Sequence, residues 1–194
     1  METNYFAKIQ KVHELVRQHM PNHSYHNKRH ATDVFYAAKR LSKLEGIAKE
    51  DRFIMVTAAL LHDIIFVIGA GDNEEKSVAF VQPYLKQFNY SESQIRKISK
   101  LILATKMPTH PKNLLEKIIC DADLDVLGRK DFLKVTEGLR QEIGVTNLND
   151  WYVSQLKFLS NHRYYTASAQ KLREEGVKQN IKKLEQMLGG AQPC

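Results

Sequence analysis

Apolar residues recur along this chain at helical spacing and scarcely ever alternate. Over 6–20, Ile9, Val12, Leu15 and Val16 fall on one stripe, and Pro21-Asn22 ends the segment. A second stripe of Ala31, Val34, Phe35, Ala38, Leu41 and Leu44 runs up to Gly46, a stop signal. The stretch 49–66 is apolar on more than one face, which predicts a long central helix. After the loop Gly69-Ala70-Gly71-Asp72-Asn73, amphipathic helices are expected over 77–88 and 91–105, the second opened by a Ser91/Gln94 capping box. Met107-Pro108-Thr109-His110-Pro111 is a break. Helices are then expected over 113–127, 131–143, 148–159 and 166–188, the last with Val177, Ile181, Leu184 and Leu188 turned inward. Strand patterns, internal repeats and Gly/Ser/Pro-rich linkers are missing. The expectation is an all-α single domain of eight or nine helices over 1–188, with a flexible tail over 189–194.

Three places break this pattern with polar groups. Tyr25-His26-Asn27-Lys28-Arg29-His30-Ala31-Thr32-Asp33-Val34 carries two histidines four apart at a helix start, where they would share a face. His62-Asp63 interrupts the most apolar stretch, and two buried polar groups cost several kcal/mol unless something satisfies them. Asp121-Ala122-Asp123-Leu124-Asp125 packs three carboxylates into another apolar segment, where they repel unless a cation or basic partner compensates. A divalent ion answers the second and third problems together. His30, His62, Asp63 and Asp123 offer two nitrogens and two oxygens from three helices of a bundle. Asp121 is the rival for the last place. His13, His19, His23 and His162, standing singly, read as structural.

These residues resemble the HD-domain superfamily of metal-dependent phosphohydrolases, whose ligands follow the order His, His-Asp, Asp. The stretch 25–34 is also similar to the signature of cyclic nucleotide phosphodiesterases, a branch of that superfamily. Ala122-Asp123-Leu124 resembles the segment carrying the last metal Asp. Asp72-Asn73-Glu74-Glu75-Lys76-Ser77 resembles an element of small HD phosphohydrolases. The resemblance covers 25–129. It implies that His30, His62, Asp63 and Asp123 hold a divalent ion (Mn, Mg, Co, Zn, Fe or Ni) and that His26 donates a proton to the leaving group. Asp63 is positioned to bridge if two ions bind. Glu74, with Glu75 as a minor alternative, is a candidate to orient or deprotonate the water. Equally, acids there suit the first turn of a helix. Lys28, Lys106 and Arg129 are candidates for phosphate. His110 is the only histidine between Asp63 and Asp123, which argues against the di-iron oxygenase branch. The chain shows no counterpart of the phosphodiesterases' purine-clamping Gln and Phe, so cyclic nucleotides are expected to be the poorer substrates.

Composition narrows the setting. The net charge is +7, but Lys28-Arg29 and Lys182-Lys183 are pairs, not runs, so a solvated surface explains it better than nucleic acid does. No apolar run approaches the ~20 residues of a membrane span. The first residues have neither the basic nor the apolar region of a signal peptide, and Cys120 and Cys194 cannot build a disulfide framework. A cytoplasmic location is the expectation. The reading is a phosphohydrolase acting on a small phosphorylated substrate, a nucleotide by analogy. The alternative is a non-catalytic metal- or nucleotide-binding regulatory module. A homodimer stays open.

Overall fold

The order of helices follows from where the chain can satisfy its helix ends. The computed structural model describes residues 2–189. Among them it has nine α-helices and one 3₁₀ turn, with no strand. The helices are α1 (Glu2–His19), α2 (Lys28–Leu44), α3 (Lys49–Leu61), α4 (Asn73–Gln87), α5 (Glu92–Ala104), α6 (Leu114–Asp123), α7 (Phe132–Glu142), α8 (Leu148–Asn161) and α9 (Ala167–Gly189); the 3₁₀ turn is Asp125–Gly128. Residues 190–194, most of the expected tail, lie outside the described residues, and α9 includes Gly189. No helix is long and apolar enough to cross a membrane among the described residues.

Side-chain caps decide several starts. Asn27 accepts from the Arg29 and His30 amides at 2.8 and 3.3 Å, so α2 begins at Lys28 and holds His30 in its first turn. Ser91 and Gln94 form the expected capping box of α5. Gly46, at φ +69°, ends the α2 segment in a conformation that suits glycine.

α3 lies at the centre, with every residue from Phe53 to Leu61 buried. It packs against α1, α2, α5 and α6. One contiguous core runs from Val12 to Leu184, and each fully buried Leu or Ile in it contributes roughly 1.5–3 kcal/mol.

Two expected helices are shorter than their apolar content suggests. α3 stops at Leu61 instead of continuing to 66. His62 takes the C-cap position, and its Nδ1 lies 2.9 Å from the Ala59 carbonyl. The following loop is stitched to α4. Asn73 bonds the Val67 amide and carbonyl at 2.9 and 3.1 Å, and the Ser77 hydroxyl bonds the amide and carbonyl of Ile65, both at 3.1 Å. α4 therefore starts at Asn73, four residues before the apolar stripe. α6 likewise stops at Asp123, because the three neighbouring carboxylates are drawn to different partners. Asp121 accepts from the Tyr165 and Thr166 amides and the Thr166 hydroxyl, at 2.7–2.8 Å. Asp125 accepts from Arg40 at 2.7 Å and from two Arg173 nitrogens at 2.8 and 2.9 Å. Asp123 has neither set.

Candidate metal centre

Three separate elements bring the polar exceptions to one point. His30 comes from the first turn of α2, His62 and Asp63 from the turn that ends α3, and Asp123 from the last residue of α6. The Nε2 atoms of His30 and His62 are 3.2 Å apart. Asp123 Oδ1 lies 3.2 Å from the first and 3.3 Å from the second. Ligand atoms of His30, His62 and Asp123 all fall within 4.8 Å of one another. Asp63 Oδ2 approaches the same two nitrogens, at 3.3 and 2.9 Å, although it is not part of that three-membered group.

The donor set and its spacing fit a cation. Ligand atoms roughly 2.0–2.2 Å from a common ion lie about 3–3.5 Å from each other, the spacing found here. With its Nδ1 donating to the Ala59 carbonyl, a neutral His62 aims a lone pair at another imidazole and two carboxylates. Burial opposes charge on His30 and His62, yet Asp63 and Asp123 outweigh it and lift both above the ordinary imidazole value. Burial equally opposes the carboxylate charges, and the two imidazoles hold Asp63 and Asp123 below their ordinary values. Without an ion, protons on the two imidazoles balance the two carboxylates, and a divalent ion on the imidazole nitrogens would take the place of those protons.

His26 stands beside this group. Its Nε2 is 4.0 Å from Asp63 Oδ2, while its Nδ1 is 2.5 Å from Glu142 Oε1. The other Glu142 oxygen accepts from the Tyr25 and His26 amides at 2.7 and 3.0 Å. The Phe66 ring stacks on the imidazole at 3.5 Å and 13°. Burial lowers the His26 pKa, while Asp63 and Glu142 pull it upward. Glu142 carried no motif in the sequence, being 116 residues from His26. Its one visible signal is a carboxylate in the last turn of a helix, where the dipole disfavours it.

Among the described residues, the other predicted residues make no hydrogen bond or ion pair with this group. Glu74 is half-buried in the first turn of α4, and burial, then the charge of Asp63, raises its pKa. Glu75 is exposed and bonds Lys106 at 2.5 Å. Arg129 gives two nitrogens to Asp131 and one to Asp33. Lys28 is exposed at the start of α2. A cavity of about 120 Å³ adjoins the centre, lined by Tyr25, His30, Asp123, Arg29, Arg129 and Lys134. Asp121 faces away, onto the start of α9. The remaining histidines serve packing or the loop. His13 meets Phe35, His19 meets Phe80, His23 bonds the Phe66 carbonyl at 3.2 Å, and His162 packs on Tyr164.

No family model and no curated protein matches the sequence. Solved structures do match. A predicted HD superfamily hydrolase from an uncultured Thermotogales bacterium aligns over 94% of this chain and 92% of its own, with TM-score 0.65 and 20% identity. This is the HD-domain fold. Bacillus subtilis YpgQ, solved in complex with ADP, aligns over 94% of this chain and 99% of its own, with TM-score 0.69 and 20% identity. At such identity the likeness is one of HD-domain architecture, and the chemistry must be argued from the residues described above.

Proposed function

We propose that this protein is a metal-dependent phosphohydrolase that cleaves a phosphate ester or anhydride of a nucleotide. The observation that carries the reading is the convergence of the His30, His62 and Asp123 ligand atoms, with Asp63 against both imidazoles. His30, His62, Asp63 and Asp123 would hold the ion. Bound there, a divalent ion polarises a phosphoryl oxygen and lowers the pKa of water. The chain's own residues supply the rest. Glu142 fixes the His26 ring through Nδ1, so that Nε2 is the atom free to donate a proton to the leaving oxygen. Phe66 covers one face of that ring and limits water access. In this reading Glu74, half-buried at the start of α4, orients water, and Lys28 and Lys106 offer positive charge to phosphate.

A nucleotide as substrate is supported by the ADP bound to the similarly folded YpgQ. The test is metal analysis of the purified protein, followed by hydrolysis assays on mono-, di-, tri- and cyclic nucleotides with and without chelator. Chelator-sensitive phosphate release, with cyclic nucleotides slower, is the expected result. Inactivity toward every nucleotide in the metal-loaded protein would instead favour a regulatory binding module.

A further inference from the structure

The cavity of about 120 Å³ beside the candidate centre lies between the start of α2, the end of α6 with the 3₁₀ turn, and α7. His30 and Asp123 form part of its wall, so cavity and centre share residues. Three acids stand around it, and each is already matched. Asp123 faces the two imidazoles, Asp33 accepts from Arg129 at 2.9 Å, and Asp125 accepts from Arg40 and Arg173. Arg129 is spent in the same way, on Asp33 and on Asp131. Two cations of the wall are left. Arg29 and Lys134 make no hydrogen bond or ion pair among the described residues. Asp131, on which Arg29 acts from a distance, is itself held by Arg129 at 2.6 and 2.8 Å.

A third donor joins them. Tyr25 also lines the cavity, and its ring lies 4.9 Å from those of both His26 and His30. Its hydroxyl makes no hydrogen bond among the described residues. A phenol is protonated at neutral pH and can donate. The place of this residue is fixed by α7. Glu142 accepts from the Tyr25 amide at 2.7 Å. A Cβ on Gly138 would stand 2.6 Å from the Ser24 carbonyl oxygen, so a glycine is needed for α7 to come this close. Lys134, Gly138 and Glu142 follow one another at intervals of four, along one face of α7. The contact that holds Tyr25 therefore also brings Lys134 to the cavity. On α2, Arg29 directly precedes the ligand His30.

Three donors without partners, two of them cationic, on a cavity that shares two candidate ligands have the chemistry of an oxyanion pocket. We infer that Tyr25, Arg29 and Lys134 hold the non-bridging oxygens of the phosphoryl group bound at the candidate centre. This rests on the hydrolase reading and adds to it the side chains that touch the phosphate beside the ion. The cavity is far below the roughly 300 Å³ and more that enclose a whole small molecule. It takes the phosphoryl group and leaves the rest of the substrate outside.

Inorganic phosphate and Mn²⁺ test the pocket without any turnover. Paramagnetic Mn²⁺ broadens the phosphorus NMR signal of phosphate bound beside it, so titrating phosphate against the Mn²⁺-loaded protein gives a Kd. In the wild type the broadening should saturate. Tyr25→Phe keeps the ring and drops only the hydroxyl, and should raise Kd about three- to tenfold. Arg29→Gln/Lys134→Gln should raise it about tenfold or more, while Lys134→Arg should stay within about threefold. Lys112→Gln, which lowers the net charge away from the cavity, should stay within about twofold. Elemental analysis and melting curves confirm that each variant holds its Mn²⁺ and is folded. No saturable broadening in the wild type, unchanged Kd in Tyr25→Phe and the double variant, or an equal loss in Lys112→Gln would each overturn the inference. Nucleotide hydrolysis at the wild-type rate by Tyr25→Phe and the double variant would overturn it too and leave the hydrolase reading standing. The expected pattern of Kd values in a Mn²⁺-loaded protein that hydrolyses no nucleotide would keep the pocket and overturn the hydrolase reading.

Discussion

Glu142 reaches the candidate centre only through His26, and its three hydrogen bonds set that ring's orientation and the course of the backbone at 25–26. Glu142→Gln keeps the shape but cannot balance an imidazolium. It should lower turnover about 10–100-fold while leaving metal content unchanged. Steady-state rates beside elemental analysis check this, and parallel loss of metal would mean that the pair only shapes the ligand cage. The histidines and aspartates that meet here were legible because each breaks an apolar pattern; Glu142 was not, because an acid on an amphipathic helix looks like any solvated residue. His162 makes a different case. Burial, with the charge of Arg163 adding to it, lowers its pKa from 6.5 to about 4. The folded state therefore refuses a proton that the unfolded chain accepts. Stability is whole above pH ~6.5 and falls as the pH drops toward 4, on the order of 2 kcal/mol at the bottom of that window. Urea unfolding at pH 7 and pH 4.5 should show this slope in the wild type and a flatter one in His162→Gln.

Helix ends, more than helices, place the chemistry. Stripes of Ile, Leu and Val announced every helix, but not the stops of α3 and α6, because Ile64, Ile65 and Phe66 beyond one and Val126 and Leu127 beyond the other are apolar too. What ends them are polar side chains claiming backbone or distant partners: His62 with Ala59, Asn73 and Ser77 with the loop, Asp121 with α9. The crossing of α9 over the 3₁₀ turn was equally hidden. A Cβ on Gly176 would run into the Gly128 carbonyl, and one on Gly128 into the Arg173 backbone. Because backbone cannot swing aside as a side chain does, Gly176→Ala should destabilise by about 1–3 kcal/mol despite alanine's better helix propensity. Gly189→Ala, with open space around it, should be close to neutral. Denaturant midpoints for the two variants make the comparison. Ser91→Ala removes the α5 capping box and should cost about 1 kcal/mol in the same assay.

The ligand set ties together α2, the end of α3 and the end of α6, elements that approach one another through the same buried core. An ion bound there would link all three in the folded state and none in the unfolded chain, so binding must add to stability. At a free concentration 100 times its Kd, the gain is about 2.7 kcal/mol. The same linkage predicts which substitutions abolish it. In the metal-free protein, Asp123→Ala removes a carboxylate held between two imidazoles and leaves their charge less compensated, whereas Asp121→Ala strips the start of α9 of three hydrogen bonds. Differential scanning calorimetry of the metal-free protein, before and after adding Mn²⁺, separates the two. The wild type and Asp121→Ala should both gain several degrees on addition of the ion, Asp121→Ala starting from a lower melting temperature. Asp123→Ala should gain nothing. A full metal-induced rise in Asp123→Ala would show that the ion sits elsewhere and that the convergence of His30, His62 and Asp123 is a buried polar network of the fold.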